Sequence, residues 1–148
     1  MKDPIHELTH DHADLNRRVI ELGTLVRGLV GSGTRTLAGP LGELREMLFL
    51  HFAREEEGLF PFVAETVSEL SDQVQEMAVA HDTICGALAR MCYLASFDAD
   101  ASSVTALFER FEQAYAGHAK TEADLFRKLD ARLDVQQRRR IAALVAGL

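Results

Sequence analysis

The chain has 148 residues, is 47% hydrophobic and carries a formal charge of −7, which suits one compact domain over 1–148 with a core of ordinary size. That charge argues against a nucleic-acid partner, which normally asks for a basic face, and it disfavours docking on an anionic membrane. No run of about 18 or more apolar residues occurs, so no bilayer-spanning segment is expected.

Alternating Val/Ile/Thr/Tyr runs are absent while Ala, Leu, Glu and Arg are plentiful, which points to an all-α fold. The first residues, Met1 to Glu7, hold no apolar run and do not read as a secretory signal. Asp3-Pro4 offers an N-cap followed by proline at the first helical position. From there Leu8, His12, Leu15, Val19, Leu22, Val26 and Leu29 recur at steps of four and three, the stripe of a bundle helix. It ends in Gly31-Ser32-Gly33-Thr34, and a loop is expected to run on to Gly39-Pro40. A second stripe follows Leu41, Leu44, Leu48, His51, Glu55, Leu59 and Phe62, and Pro61 should kink that helix or end it soon after. The third begins near Ser71-Asp72 and follows Val74, Met77, His81, Ile84, Leu88, Met91 and Ala95. Asp98 to Ser103 reads as a turn before the fourth stripe, Val104, Phe108, Phe111, Tyr115, His118, Glu122, Leu125 and Leu129. A short amphipathic tail from Asp134 to Leu148 should cap one end. Four helices of about 25 residues with short connections predict an up-down-up-down four-helix bundle with a short C-terminal helix. Cys85 and Cys92, seven apart on one helix, are separated by about 10 Å, too far for a disulfide. Free thiols without a signal point to a cytoplasmic setting.

Six ionisable side chains interrupt the apolar seams: His12, His51, Glu55, His81, His118 and Glu122. Taken singly, a seam histidine is more often a hydrogen-bonded core residue than a ligand. Burying two carboxylates without partners, however, would cost several kcal/mol each. Imidazoles offset part of that cost, and a pair of divalent metal ions offsets more, because imidazole nitrogen and carboxylate oxygen are natural ligands of such ions. His51 and Glu55 are four apart, as are His118 and Glu122, so each pair lies on one helix face. At about 1.5 Å rise per residue, Glu55 and His81 fall roughly 16 and 15 Å from their shared turn, and His81 and His118 agree within roughly 3 Å across the next. All six thus belong near one level, apart from some latitude in the first helix.

Other residues read more plainly. His6 and His10 rotate off the Leu8/His12 seam and are expected at the surface. Glu7-x-x-His10 matches one ligand motif of ferritin-like di-iron bundles, which need two on inward faces. Tyr115 is read as core, or as a donor to a metal-bound oxygen species, and Cys85, Met77 and Met91 as core. Phe49, Phe52, Phe60, Phe62 and Phe126 can wall off a dry pocket. Glu56 and Glu57 are expected in solvent, with Glu56 in reach of a ligand histidine's N–H. Arg138-Arg139-Arg140 reads as a solvated helix face.

The segments Leu8 to Leu15 (LTHDHADL), His51 to Pro61 (HFAREEEGLFP), Ala80 to Ile84 (AHDTI) and His118 to Phe126 (HAKTEADLF) resemble the hemerythrin family, in particular its bacterial HHE cation-binding domains. The resemblance implies two iron ions bridged by Glu55 and Glu122 and by an oxo or hydroxo group, with His12, His51, His81 and His118 as further metal ligands. Zinc or manganese suits the same nitrogen and oxygen donors. Oxygen-carrying members have two histidines a turn apart on the third helix and an aspartate on the fourth. Here Met77 and Cys85 flank His81 at four residues, and Ala123 stands where that aspartate would be. Fewer histidines leave more exchangeable positions, which favours reaction with, or sensing of, O2, NO or peroxide over reversible oxygen carriage. The alternative is a metal-binding signalling or iron-handling module without turnover; turnover and association into a homo-oligomer stay open.

Overall fold

The computed structural model describes residues 4–29 and 33–146, with side chains over 12–29 and 33–144. Helix α1 runs Pro4–Arg27, so Leu29 falls just past its end. Asp3, expected as its cap, and Gly31-Ser32 lie outside the described residues, as do the side chains of His6, Glu7, Leu8 and His10.

The loop expected to reach Gly39-Pro40 is shorter. A single 3-10 turn, Arg35–Leu37, leads directly into α2, Ala38–Arg54. Both residues therefore sit in the first turn of α2, where backbone N–H groups have no intrahelical partner and proline's missing donor costs little. The helix ends soon after Pro61, as expected, at Thr66. Before that the chain passes through one π-helical turn, Glu55–Leu59, in which the Phe60 N–H bonds the Glu55 carbonyl five residues back. It resumes as α3, Phe60–Thr66, with Pro61 in the first turn, again a place where no N–H is required.

Helix α4 spans Ser71–Ser96 and α5 spans Ala101–Arg132. The turn between them is confined to 97–100, shorter than the Asp98–Ser103 expected. Asp100 caps α5 by accepting from the Ser102 N–H at 3.3 Å. Asp98 adopts the left-handed region, φ 58°, and its carboxylate accepts from the Arg35 N–H at 2.9 Å. The Thr34 hydroxyl, fully buried, donates to the Ala99 carbonyl at 2.7 Å. Gly33 lies so close to Asp98 that a Cβ would collide with the carboxylate, and it pairs with Asp100 in an isolated bridge. The two connections at this end of the bundle thus hold each other.

Each long helix runs antiparallel to its neighbours: Arg18 reaches Glu43 across α1/α2, Arg27 reaches Glu112 across α1/α5, and Lys128 reaches Gln73 across α4/α5. The apolar stripe positions from Leu15 to Val26, from Leu41 to Leu48, from Val74 to Ala95 and from Val104 to Leu129 are buried as expected. They form two clusters. One gathers Leu15, Leu48, Ile84, Phe111 and their neighbours; the other gathers Leu59, Met77, Leu125, Leu129 and theirs. The ionisable residues occupy the level between them, so apolar packing closes the polar layer at both ends. The final helix, α6 (Val135–Ala146), lies against the π turn and α1, with Ile141 fully buried in the second cluster. Of the arginines expected on its solvated face, Arg138 donates to the Asp130 carbonyl and carboxylate at 2.7 Å, and Arg140 lies over the Phe62 ring. No helix among the described residues is long and apolar enough to cross a membrane.

Candidate metal centre

All six ionisable seam residues are buried, and the structure brings them together in one layer. His12 comes from α1, His51 from α2, Glu55 from the start of the π turn, His81 from α4, and His118 with Glu122 from α5. The Glu55 N–H still bonds the His51 and Phe52 carbonyls, so His51 and Glu55 keep the one-turn spacing that aims both at the axis. The donors fall into two groups of four. His12, His51, Glu55 and Glu122 form one; Glu55, His81, His118 and Glu122 form the other. Within each group, one ligand atom per residue lies within 4.8 Å of the rest. Both carboxylates belong to both groups.

The contacts are those of donors crowded around missing charge. Glu122 Oε2 is 2.6 Å from His12 Nε2 and 3.0 Å from His118 Nε2. Glu55 Oε1 is 3.3 Å from His81 Nε2 and 3.4 Å from His51 Nε2. The Nε2 atoms of His81 and His118 stand 3.0 Å apart, a spacing two lone pairs hold only with a proton or a cation between them. Among the described residues, both Glu55 oxygens and His118 Nδ1 are buried without a hydrogen-bond partner. Orphaned buried acceptors are rare in folded proteins and call for a cause. Two cations, one in each group, would satisfy the carboxylate oxygens at once, so the donor set fits a metal pair.

Electrostatics agree. Burial drives the His81 imidazolium down to about 4, and burial together with His81, His12 and His51 drives that of His118 to about 3. Both rings are therefore neutral at physiological pH, the form that offers a lone pair to a metal. Burial works against ionisation of Glu122, but hydrogen bonds and charge from His12 and His51 outweigh it and hold the carboxyl below its ordinary value.

Aromatic rings close the second group. Phe52 stacks on His81 with centroids 3.6 Å apart, Phe60 lies near-parallel to the same ring at 5.6 Å, and Phe52 meets His118 edge-on. Phe126 lies 5.8 Å from His12. Phe49 walls nothing; it is 40% exposed, with Arg45 over its ring. A cavity of about 100 Å³ between α1 and α2, lined by Leu15, Met47, Leu50 and Arg54, reaches His51 from outside.

The Tyr115 hydroxyl is occupied elsewhere, donating to Asn16 Oδ1 at 2.7 Å, and burial raises its pKa. Asn16 carries no signal by which sequence could have found it. Cys85 is half-buried and belongs to neither donor group; burial first, then Glu56 and Asp82, push its thiol up to about 11. Met77 packs in the second apolar cluster. Glu56, half-exposed, takes the role open to it, with Oε2 3.2 Å from His81 Nδ1.

No curated protein and no solved structure matches the chain. A family comparison matches residues 3–129 to the hemerythrin HHE cation-binding domain. That span carries all six converging side chains and stops just short of α6. The chain belongs to the hemerythrin family through this HHE cation-binding domain.

Proposed function

We propose that the chain, acting as one domain over 1–148, is a non-haem di-iron protein that binds, senses or reacts with O2, NO or peroxide in the cytoplasm. The observation that carries this reading is the sharing of Glu55 and Glu122 between two groups of four donors. A single ion would leave one group's histidines without purpose, whereas two ions bridged by both carboxylates, with an oxo or hydroxo group between them, use every donor. His12 and His51 hold one ion and His81 and His118 the other. Two imidazoles and two carboxylates per ion would leave room for a small ligand beside each metal. When bound, the iron pair supplies the electrons for that chemistry. The protein's part is to fix the donors on four rigid helices, to keep His81 and His118 neutral, and to exclude bulk water with Phe52, Phe60 and Phe126. Zinc or manganese suits the same donors. The test is anaerobic loading with ferrous iron followed by exposure to O2, peroxide or NO: the reading expects the iron absorption spectrum to change with at least one, and a spectrum indifferent to all three would overturn it.

A second reading, a metal-responsive module without turnover, draws on the buried Glu55 oxygens, which have no hydrogen-bond partner among the described residues. Filling or emptying the site would then tighten or loosen helix packing. Equal thermal stability with and without metal would rule it out.

A further inference from the structure

We propose that Glu56 is a positioning residue for the metal centre: its carboxylate holds the proton of His81 on Nδ1 and so presents the Nε2 lone pair to the second donor group. The inference rests on the metal-binding reading above and goes beyond it, because Glu56 lies outside both donor groups.

The geometry is specific. Glu56 follows Glu55 in the π turn Glu55–Leu59. The two neighbours serve opposite edges of one imidazole: Glu55 Oε1 lies 3.3 Å from His81 Nε2, and Glu56 Oε2 lies 3.2 Å from His81 Nδ1. A carboxylate can only accept, so Nδ1 must carry the hydrogen and Nε2 the lone pair. Phe52 stacks on a face of the same ring at 3.6 Å, and Phe60 lies near-parallel to it at 5.6 Å, so the ring is packed as well as hydrogen-bonded. His118, the other histidine of this group, has no such support among the described residues, its Nδ1 being buried without a hydrogen-bond partner there. The pair of histidines is therefore unequal, with His81 the fixed and more strongly donating member. Glu56 reaches this position from the surface. Its side chain is 40% exposed and borders a groove of about 350 Å³ between α3 and α4, beside Phe60, Pro61 and Val74. Glu57, the next residue of the turn, is exposed and belongs to neither donor group, which makes it the natural control.

The experiment compares the full-length wild type with Glu56→Ala, Glu56→Gln and Glu57→Ala. Ferrous iron is loaded anaerobically and its release to a colorimetric chelator is timed; zinc-loaded protein, which is diamagnetic, reports the His81 tautomer by nitrogen NMR of the ring. Removing a carboxylate behind a ligand histidine typically costs about 10–100-fold in metal affinity, so Glu56→Ala should release iron about that much faster. Glu56→Gln, whose amide oxygen still accepts from Nδ1, should recover most of the loss, and Glu57→Ala should match the wild type. The wild-type NMR should show His81 protonated on Nδ1. A wild type that holds no metal overturns the metal-centre reading itself. A wild type that holds metal, with Glu56→Ala releasing it at the same rate or with His81 protonated on Nε2, overturns only the role of Glu56. Equal losses in Glu56→Ala and Glu57→Ala would also overturn it, by showing that charge in the turn, and not this hydrogen bond, is what counts.

Discussion

Glu55→Leu should make the metal-free protein more stable and the metal-treated protein less so. Glu55 is 0% exposed, neither of its oxygens has a hydrogen-bond partner among the described residues, and two imidazole nitrogens stand 3.3 and 3.4 Å from Oε1. Burying a carboxylate costs several kcal/mol even after relaxation, and neutral imidazoles return only part of it. Replacing a whole buried ion pair or triad with well-packed apolar side chains of similar volume commonly gains about 1–4 kcal/mol, which sets the scale for the gain here. Urea denaturation in the presence of a strong chelator is the assay. With a slope of about 1–3 kcal/mol per molar urea, a gain of about 2 kcal/mol moves the midpoint up by about 1 M. The same substitution takes a carboxylate from both donor groups. At free metal about 100 times the dissociation constant, each wild-type site gains about 2.7 kcal/mol, and the variant should gain almost nothing. The stability order must therefore reverse on adding metal. If the metal-free variant is the less stable protein by more than about 1 kcal/mol, protein groups already satisfy Glu55 and the reasoning is wrong.

Acid should loosen the metal-free protein earlier than its surface charges predict. His81 and His118 titrate near 4 and 3 in the fold against an ordinary 6.5, so between these values the unfolded chain binds more protons and stability falls as pH falls. His81 alone accounts for about 3 kcal/mol by pH 4, at about 1.4 kcal/mol per pKa unit; urea midpoints measured from pH 7 to 4 should decline throughout, and a flat profile would contradict the burial argument. Cys85→Ser should leave metal content unchanged, since Cys85 belongs to neither donor group; elemental analysis showing lost metal would make Cys85 a donor. Phe111→Ala, at a fully buried position of the first apolar cluster, should cost about 3–5 kcal/mol by chemical denaturation. A loss under about 1 kcal/mol would mean that this part of the core is loosely packed.

The long helices were legible because their seams repeat over many turns, and each such repeat specifies one buried face. The convergence of His12, His51, Glu55, His81, His118 and Glu122 was legible for the same reason: polar residues on a buried seam have nowhere to go but inward. The pairing of His12 with His51, and of His81 with His118, was not, because level along the axis says nothing about which neighbours face each other around it. Local irregularities escaped too. Gly39-Pro40 reads as a loop by composition, yet suits a first helical turn, where a missing N–H is harmless. The π turn at Glu55–Leu59 leaves no compositional mark; Pro61 signalled the helix end at Thr66 but not this turn before it. Phe49 sits beside the buried seam in sequence and faces outward in space.

The most direct test of the central claim is metal content per chain by elemental analysis, after anaerobic loading with ferrous iron, for the wild type and for His51→Ala/His118→Ala. That double variant removes one histidine from each donor group. The account predicts about two irons per wild-type chain and their loss from the variant. One ion per chain, or equal content in the two proteins, would contradict it.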